Sequence, residues 1–371
     1  MFGNLEAITF PLYMYCFAMY VVLSCLGFRV FKYGKFSWNN HSGPVLFTIL
    51  AIILSVTCCI GADFFAYKSI AHDTCGTEIM HLEAVYGYLL FLINNNYFLF
   101  RVIVWGSAVL LVLRASERMG LSKYYVLFFL MLSFSSIFSY ARASLAMAIF
   151  FDGVSFVVPK EGKRTALKVI AGIAIMLLSV VFHRSMLALV ALALPVFLPV
   201  NRKVFAVSLV IIPIAMFFAG RYFGDLLMMS SEAESMSDIS HLMDTYSERE
   251  VESANWKGMI RHFFHYSLIF IPMIYSAVVA YRRKDEMEWQ MRVLLRFCII
   301  IAVLSFSTFL LSFESSVMFY RFLYMAIIPL SMLVVALLQK KMITARPFSL
   351  LKIWQFSANL LVFCADMLAF K

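Results

Sequence analysis

Positive charge falls on every second loop between apolar stretches, and that alternation constrains this chain more than any other feature. Apolar stretches lie near residues 8–30, 44–62, 98–113, 124–140, 142–158, 167–183, 185–200, 204–219, 262–281, 293–312, 320–338 and 350–370. A membrane span needs about 20 apolar residues at 1.5 Å each. Several of these stretches are short or abut, so about twelve spans are expected. Twenty of the 31 Lys and Arg residues then fall in loops on one side, around Arg29, Arg114, Lys160, Arg202, Arg282 and Lys340. Cytoplasmic loops carry such an excess. Both termini and the polar segments near 61–97 and 220–261 are expected on the outer side.

Composition agrees. The 371 residues are 63% hydrophobic and 14% charged, where soluble domains carry roughly a quarter charged. The chain reads as a single all-α integral-membrane domain over residues 1–371, a polytopic helical bundle. Its net charge of +10 is what basic cytoplasmic loops produce. No aromatic-rich basic patch or zinc spacing points to nucleic acid, and no phosphate-binding glycine loop to a nucleotide. Six of the seven cysteines lie in apolar stretches, leaving Cys75 without a partner in its polar loop. No disulfide framework, metal site or cofactor is expected. The start lacks a basic region before its first apolar stretch, so that stretch reads as a retained span. Glu83 to Ile93 is apolar but too short to span and ends at Asn94-Asn95-Asn96. It reads as an interfacial or re-entrant helix on the outer face.

Charge at a membrane helix is costly and marks either a function or a structural pair. Arg142, Arg184 and Arg321 break the loop pattern and lie on the outer side, with Arg101 a further cation there. Three such cations suit a phosphate-bearing anion; each also reads as an arginine snorkelling to headgroups or pairing at the rim. Asp63 and Tyr67, spaced i, i+4, form either a site pair or a helix-terminal acid with an interfacial tyrosine. His183 sits at a tight turn between two apolar helices. It reads as a proton acceptor or as a histidine satisfied by a carbonyl. Asp152, about 15 Å inward from Arg142 on one helix, needs a partner, for which Arg296 is a candidate. Glu232-x-Glu234 and Glu248-x-Glu250-x-Glu252 either hold a divalent cation or hydrogen-bond sugar, or, the favoured reading, form a solvated acidic loop.

In order, these clusters resemble the Wzy-like/EpsG-type polymerases of bacterial surface polysaccharide. The matching pattern is Asp63…Tyr67, Glu83-x-x-Tyr86-Gly87-Tyr88, Arg142-x-Ser144-Leu145-Ala146-x-Ala148, Phe182-His183-x-Ser185 and Arg321. Where the family has a glutamine after the arginine, this chain has Ala143. The resemblance implies a GT-C-type membrane glycosyltransferase at the periplasmic face of the inner membrane. It implies undecaprenyl-pyrophosphate-linked oligosaccharide repeat units as substrates and O-antigen, capsule or exopolysaccharide as product. A chain-length-regulating membrane protein is a candidate partner beside the bilayer. His183 is the expected base, with Asp63 and Glu83 as alternatives. Arg142, Arg184, Arg321, Tyr67, Tyr86 and Arg101 are expected to bind substrate. The rival class is a transporter or flippase of the same lipid-linked sugars. Such proteins place polar groups near the midplane on repeated, broken helices; here the ionisable candidates lie mostly at the outer rim.

Overall fold

The computed structural model describes residues 3–35, 42–57, 84–134, 141–159, 165–183, 186–197, 207, 210–211, 256–311 and 322–369. Among them the regular elements are helices: α1 (Gly3–Val30), α2 (Ser42–Thr57), α3 (Ala84–Leu92), α4 (Tyr97–Arg118), α5 (Lys123–Leu132) and α6 (Ala141–Val157). Then come α7 (Ala166–Phe182), α8 (Met186–Phe197), α9 (Trp256–Arg282), α10 (Trp289–Leu311), α11 (Ile327–Gln339) and α12 (Ala345–Ala369). A short 3₁₀ turn, Lys284–Glu286, joins α9 to α10. The chain is a multi-pass membrane protein, all-helical among the described residues. Among the described residues six segments are long and apolar enough to cross a membrane: Pro11–Val30, Tyr97–Arg118, Phe263–Arg282, Trp289–Ser307, Phe322–Gln339 and Ala345–Cys364. The expected count of about twelve spans is not reached among the described residues.

Two helices form the centre. Every residue of α11 from Ile327 to Leu338 is buried, as is every residue of α6 from Ala143 to Ser155. A helix apolar on all faces belongs inside a bundle. Around them, α7 turns Leu167, Ile170, Ile173, Leu177 and Val181 outward, the stripe expected of a lipid-facing helix. Lipid offers no hydrophobic drive for helix association, so close packing supplies it, and small residues allow the closest approach. Gly153 of α6 and Gly172 of α7 are such a pair. A Cβ at Gly153 would lie 2.6 Å from the Gly172 carbonyl oxygen, and one at Gly172 2.7 Å from that of Gly153.

Helix limits follow from local chemistry. Asn96 starts α4 by accepting the Leu99 N–H at 3.0 Å, an N-cap. Asn94 and Asn95 hold φ near +54° and +55°, which asparagine tolerates better than most residues. The nine-residue α3 is about 13 Å long, so the reading of 83–93 as too short to span agrees with its observed length. Thr165 caps α7 through the Lys168 N–H. Buried serines return their hydroxyls to the preceding turn, as Ser55 does to Ala51 O at 2.6 Å and Ser116 to Val112 O at 2.7 Å.

Three expected boundaries move. Helix α4 continues past residue 113 to Arg118, so Arg114 and Arg118 are helical rather than in a loop. Helix α12 starts at Ala345, which takes Arg346 and Lys352 into it. Lys352 is 6% exposed, donates to Phe31 O at 3.2 Å and lies 4.3 Å from the Phe348 ring centre. Helix α9 begins at Trp256, inside the expected 220–261 segment. Most of that segment lies outside the described residues.

The glycine contact has a direct test. Gly153→Ala and Gly172→Ala should each destabilise the purified protein by roughly 1–3 kcal/mol through overpacking. Gly106→Ala, with nothing within 4 Å of its added Cβ, should leave stability unchanged or raise it. Thermal unfolding in detergent compares the three.

Candidate functional site

Tyr86 joins the expected site segments. It lies on α3, is 1% exposed, and donates its hydroxyl to Arg142 O at 3.3 Å. Its ring stands edge-on to Phe100 of α4 at 5.9 Å and to Phe182 of α7 at 6.1 Å. One tyrosine therefore ties the start of α6 to the end of α7. The opposite face of α3 is apolar and open, with Tyr88, Phe91 and Leu92 at 71%, 80% and 77% exposure. That face suits the boundary between headgroups and acyl chains.

Arg142 is the second residue of α6 and is half-buried. Two residues on, the buried Ser144 hydroxyl pairs with that of Tyr324 at 2.8 Å. Tyr324 belongs to the turn leading into α11, three residues after Arg321 in sequence. The Arg142 segment is thus linked to the late segment that carries Arg321. No spacing in the sequence announces this link, because the hydroxyls lie 180 positions apart.

His183 ends α7. Its backbone is extended (φ −161°, ψ 117°), its N–H bonds to Ser179 O, and its carbonyl accepts the Met186 N–H at 2.9 Å. The next helix starts at Met186, the tight turn expected there. The half-buried His183 adjoins Phe182, which touches Tyr86. Tyr86, Arg142 and the Phe182–His183 turn therefore gather at one end of the bundle.

Arg101 has a different setting. It is 7% exposed, with Nε donating to Val56 O at 2.7 Å and Nη2 to Ser55 O at 3.1 Å. These bonds close the C-terminus of α2, whose last carbonyls have no partner within the helix. Asp63, Tyr67, Glu83, Arg184 and Arg321 lie outside the described residues. Among the described residues no three His, Cys, Asp or Glu side chains gather as a metal would require.

At the other end of the bundle Asp152 finds its counter-charges. It is 1% exposed and accepts Arg114 Nε at 3.1 Å, Arg114 Nη2 at 2.5 Å and Arg118 Nη1 at 2.7 Å. The candidate partner Arg296 donates instead to Val196 O at 3.0 Å. The missed signal was the i, i+4 spacing of Arg114 and Arg118, which puts both on one helix face.

Comparison with known protein families finds a match to the EpsG family over residues 42–369. The chain belongs to the EpsG family. No curated protein and no solved structure gives a significant match. The EpsG match runs from α2 to α12 and contains the whole Tyr86–Arg142–His183 end. It agrees with the resemblance drawn from the motif order.

The Ser144–Tyr324 bond should be measurable as a coupling. In a double-mutant cycle of Ser144→Ala and Tyr324→Phe, unfolding stability should show about 0.5–1.5 kcal/mol of interaction. Additive single losses would mean that the two hydroxyls do not depend on each other.

Proposed function

We propose that the chain is a GT-C-type glycosyltransferase that polymerises undecaprenyl-pyrophosphate-linked oligosaccharide repeat units into surface polysaccharide. The convergence of Tyr86, Arg142 and the His183 turn at one end of the bundle carries this reading. EpsG family membership supports it. In the full chain that end faces the periplasm of the inner membrane, within a bundle of about twelve spans.

The chemistry needs little machinery. A hydroxyl of the acceptor repeat unit attacks the anomeric carbon of the donor. A new glycosidic C–O bond forms as the bond to pyrophosphate breaks. The hydroxyl proton passes to a base, and undecaprenyl pyrophosphate leaves with the bonding electrons. Pyrophosphate is already a good leaving group, so the enzyme's main task is to stabilise its growing charge. Preorganised cations do this, and a guanidinium fork also fixes orientation. Arg142, Arg184 and Arg321 take that role. His183 accepts the proton, a task suited to imidazole near neutral pH. Asp63 and Glu83 are the alternative bases and Tyr67 lines the sugar path, while Tyr86, expected from sequence to bind substrate, is buried and instead positions the start of α6. The mobile partner in the membrane is the polyprenyl carrier itself, and a chain-length regulator would act on the product.

The test uses purified protein and lipid-linked repeat units. His183→Gln should lower the polymerisation rate at least about a hundredfold, the scale of general-base catalysis. Arg142→Lys should lose most activity while the protein still inserts, because an ammonium does not replace a fork. A His183→Gln loss below about tenfold moves the base role to Asp63 or Glu83. Near wild-type polymer from Arg142→Lys rejects the pyrophosphate site.

A further inference from the structure

Arg114, Arg118 and Asp152 lie far from the Tyr86–Arg142 end and take no part in the reaction proposed for it. Asp152 is ten residues, about 15 Å, along α6 from Arg142. It is five residues, about 8 Å, short of the far end of that helix at Val157. Arg118 is the last residue of α4. Helix α4 has 22 residues and is about 33 Å long, enough to cross a hydrocarbon core of about 30 Å, so Arg118 at its end lies where the core gives way to headgroups. The surrounding loops carry the basic excess of the sequence, which marks the cytoplasmic leaflet.

The charge there does not balance. Asp152 is a single carboxylate beside two guanidiniums. The other acid of that turn, Glu117, is taken by Lys123, whose Nζ lies 3.2 Å from each of its oxygens. Among the described residues one positive charge is left over there. Two arginines at i, i+4 repel each other, and the buried carboxylate holds them together nonetheless. Both are fixed. Arg118 lies over the Phe156 ring at 3.9 Å and reaches Ser155 Oγ at 3.4 Å, while Arg114 makes a two-pronged contact with Asp152. Their bonds to Asp152 use Nε and Nη2 of Arg114 and Nη1 of Arg118. A guanidinium has five N–H groups, so donors remain on both. The side chains are 54% and 28% exposed against 1% for Asp152. The carboxylate sits behind the arginines and the open side carries the surplus charge.

We propose that Arg114 and Arg118, held by Asp152, form a second anion site that binds the phosphate of an anionic phospholipid headgroup in the cytoplasmic leaflet. Phosphodiester oxygens match the planar forks, and anionic lipid is concentrated at this depth. The site stands independently of the polymerase reading, since it rests on geometry at the opposite end of the bundle. Free phosphate would meet the same chemistry from solution, so the experiment separates the two sources.

Full-length protein in neutral detergent would be incubated with phosphatidylglycerol or phosphatidylcholine, and retained lipid counted by native mass spectrometry. Wild type should retain phosphatidylglycerol in preference to phosphatidylcholine. Arg114→Gln and Arg118→Gln should each lower phosphatidylglycerol retention about fivefold, the scale of one cation at a charged surface. Arg114 is the more exposed, and its loss leaves the Arg118–Asp152 pair to keep the fold. Arg282→Gln, at the same end of the bundle and with the same charge change, should have no effect. Equal phosphatidylglycerol retention by wild type and both arginine variants overturns the site. Displacement of the lipid by millimolar inorganic phosphate at the same arginines overturns the lipid assignment.

Discussion

A helix end buried in a bundle has no water to satisfy its last carbonyls, and each one left bare costs free energy on the scale of a lost hydrogen bond. Much of this structure answers that constraint with long polar side chains sent from a neighbouring element. Arg101 closes α2 through Ser55 and Val56, and Arg296 closes α8 through Val196. Lys352 reaches Phe31 just past α1, and Tyr20 reaches Leu132 at the end of α5. Gln290 meets Pro159 after α6, and Tyr125 meets Lys32. Each bond fixes a helix end to a helix distant in sequence, so solving the backbone problem also sets the tertiary arrangement.

The same economy explains where charge is buried. Arg101 and Lys352 lie below one-tenth exposure because their carbonyl partners and aromatic neighbours stand in for water. Asp152 is tolerated because two guanidiniums reach it. Tyr86 shows the apolar counterpart. Two aromatic rings hold it in place, and its hydroxyl has only to point at the first turn of α6. The candidate site is therefore positioned by side chains that need not touch substrate.

Hydropathy and loop charge made most of the bundle legible from sequence. The short α3 and the tight turn at His183 follow from segment length and from two apolar runs meeting at a polar pair. The errors share one cause: a hydropathy reading stops at the first charge, whereas a helix continues while its backbone bonds continue. Arg114 ended the reading of α4, yet the helix runs on to Arg118 because Asp152 receives both arginines. Arg346 delayed the reading of α12 to residue 350, whereas Lys352 is accommodated inside the helix by a buried carbonyl and an aromatic face. At the candidate site, the motif order marked Tyr86, Arg142 and His183. That Tyr86 touches both Arg142 and Phe182 was not legible, since it depends on how α3 lies across α6 and α7. The Ser144–Tyr324 pair was hidden for the same reason, two ordinary hydroxyl residues made significant by a helix crossing.

The α6–α7 contact also bears on how such a chain can change over time. The atom facing each glycine of the Gly153–Gly172 pair is the other's backbone oxygen, which no alternative rotamer can move aside. A compensating change at a neighbouring side chain cannot restore the fit, so the two positions behave as one inherited character. A lineage that gives up one glycine must widen the whole α6–α7 spacing. In doing so it would shift Arg142 against His183, binding the drift of a buried structural seam to the geometry of the membrane surface some distance away.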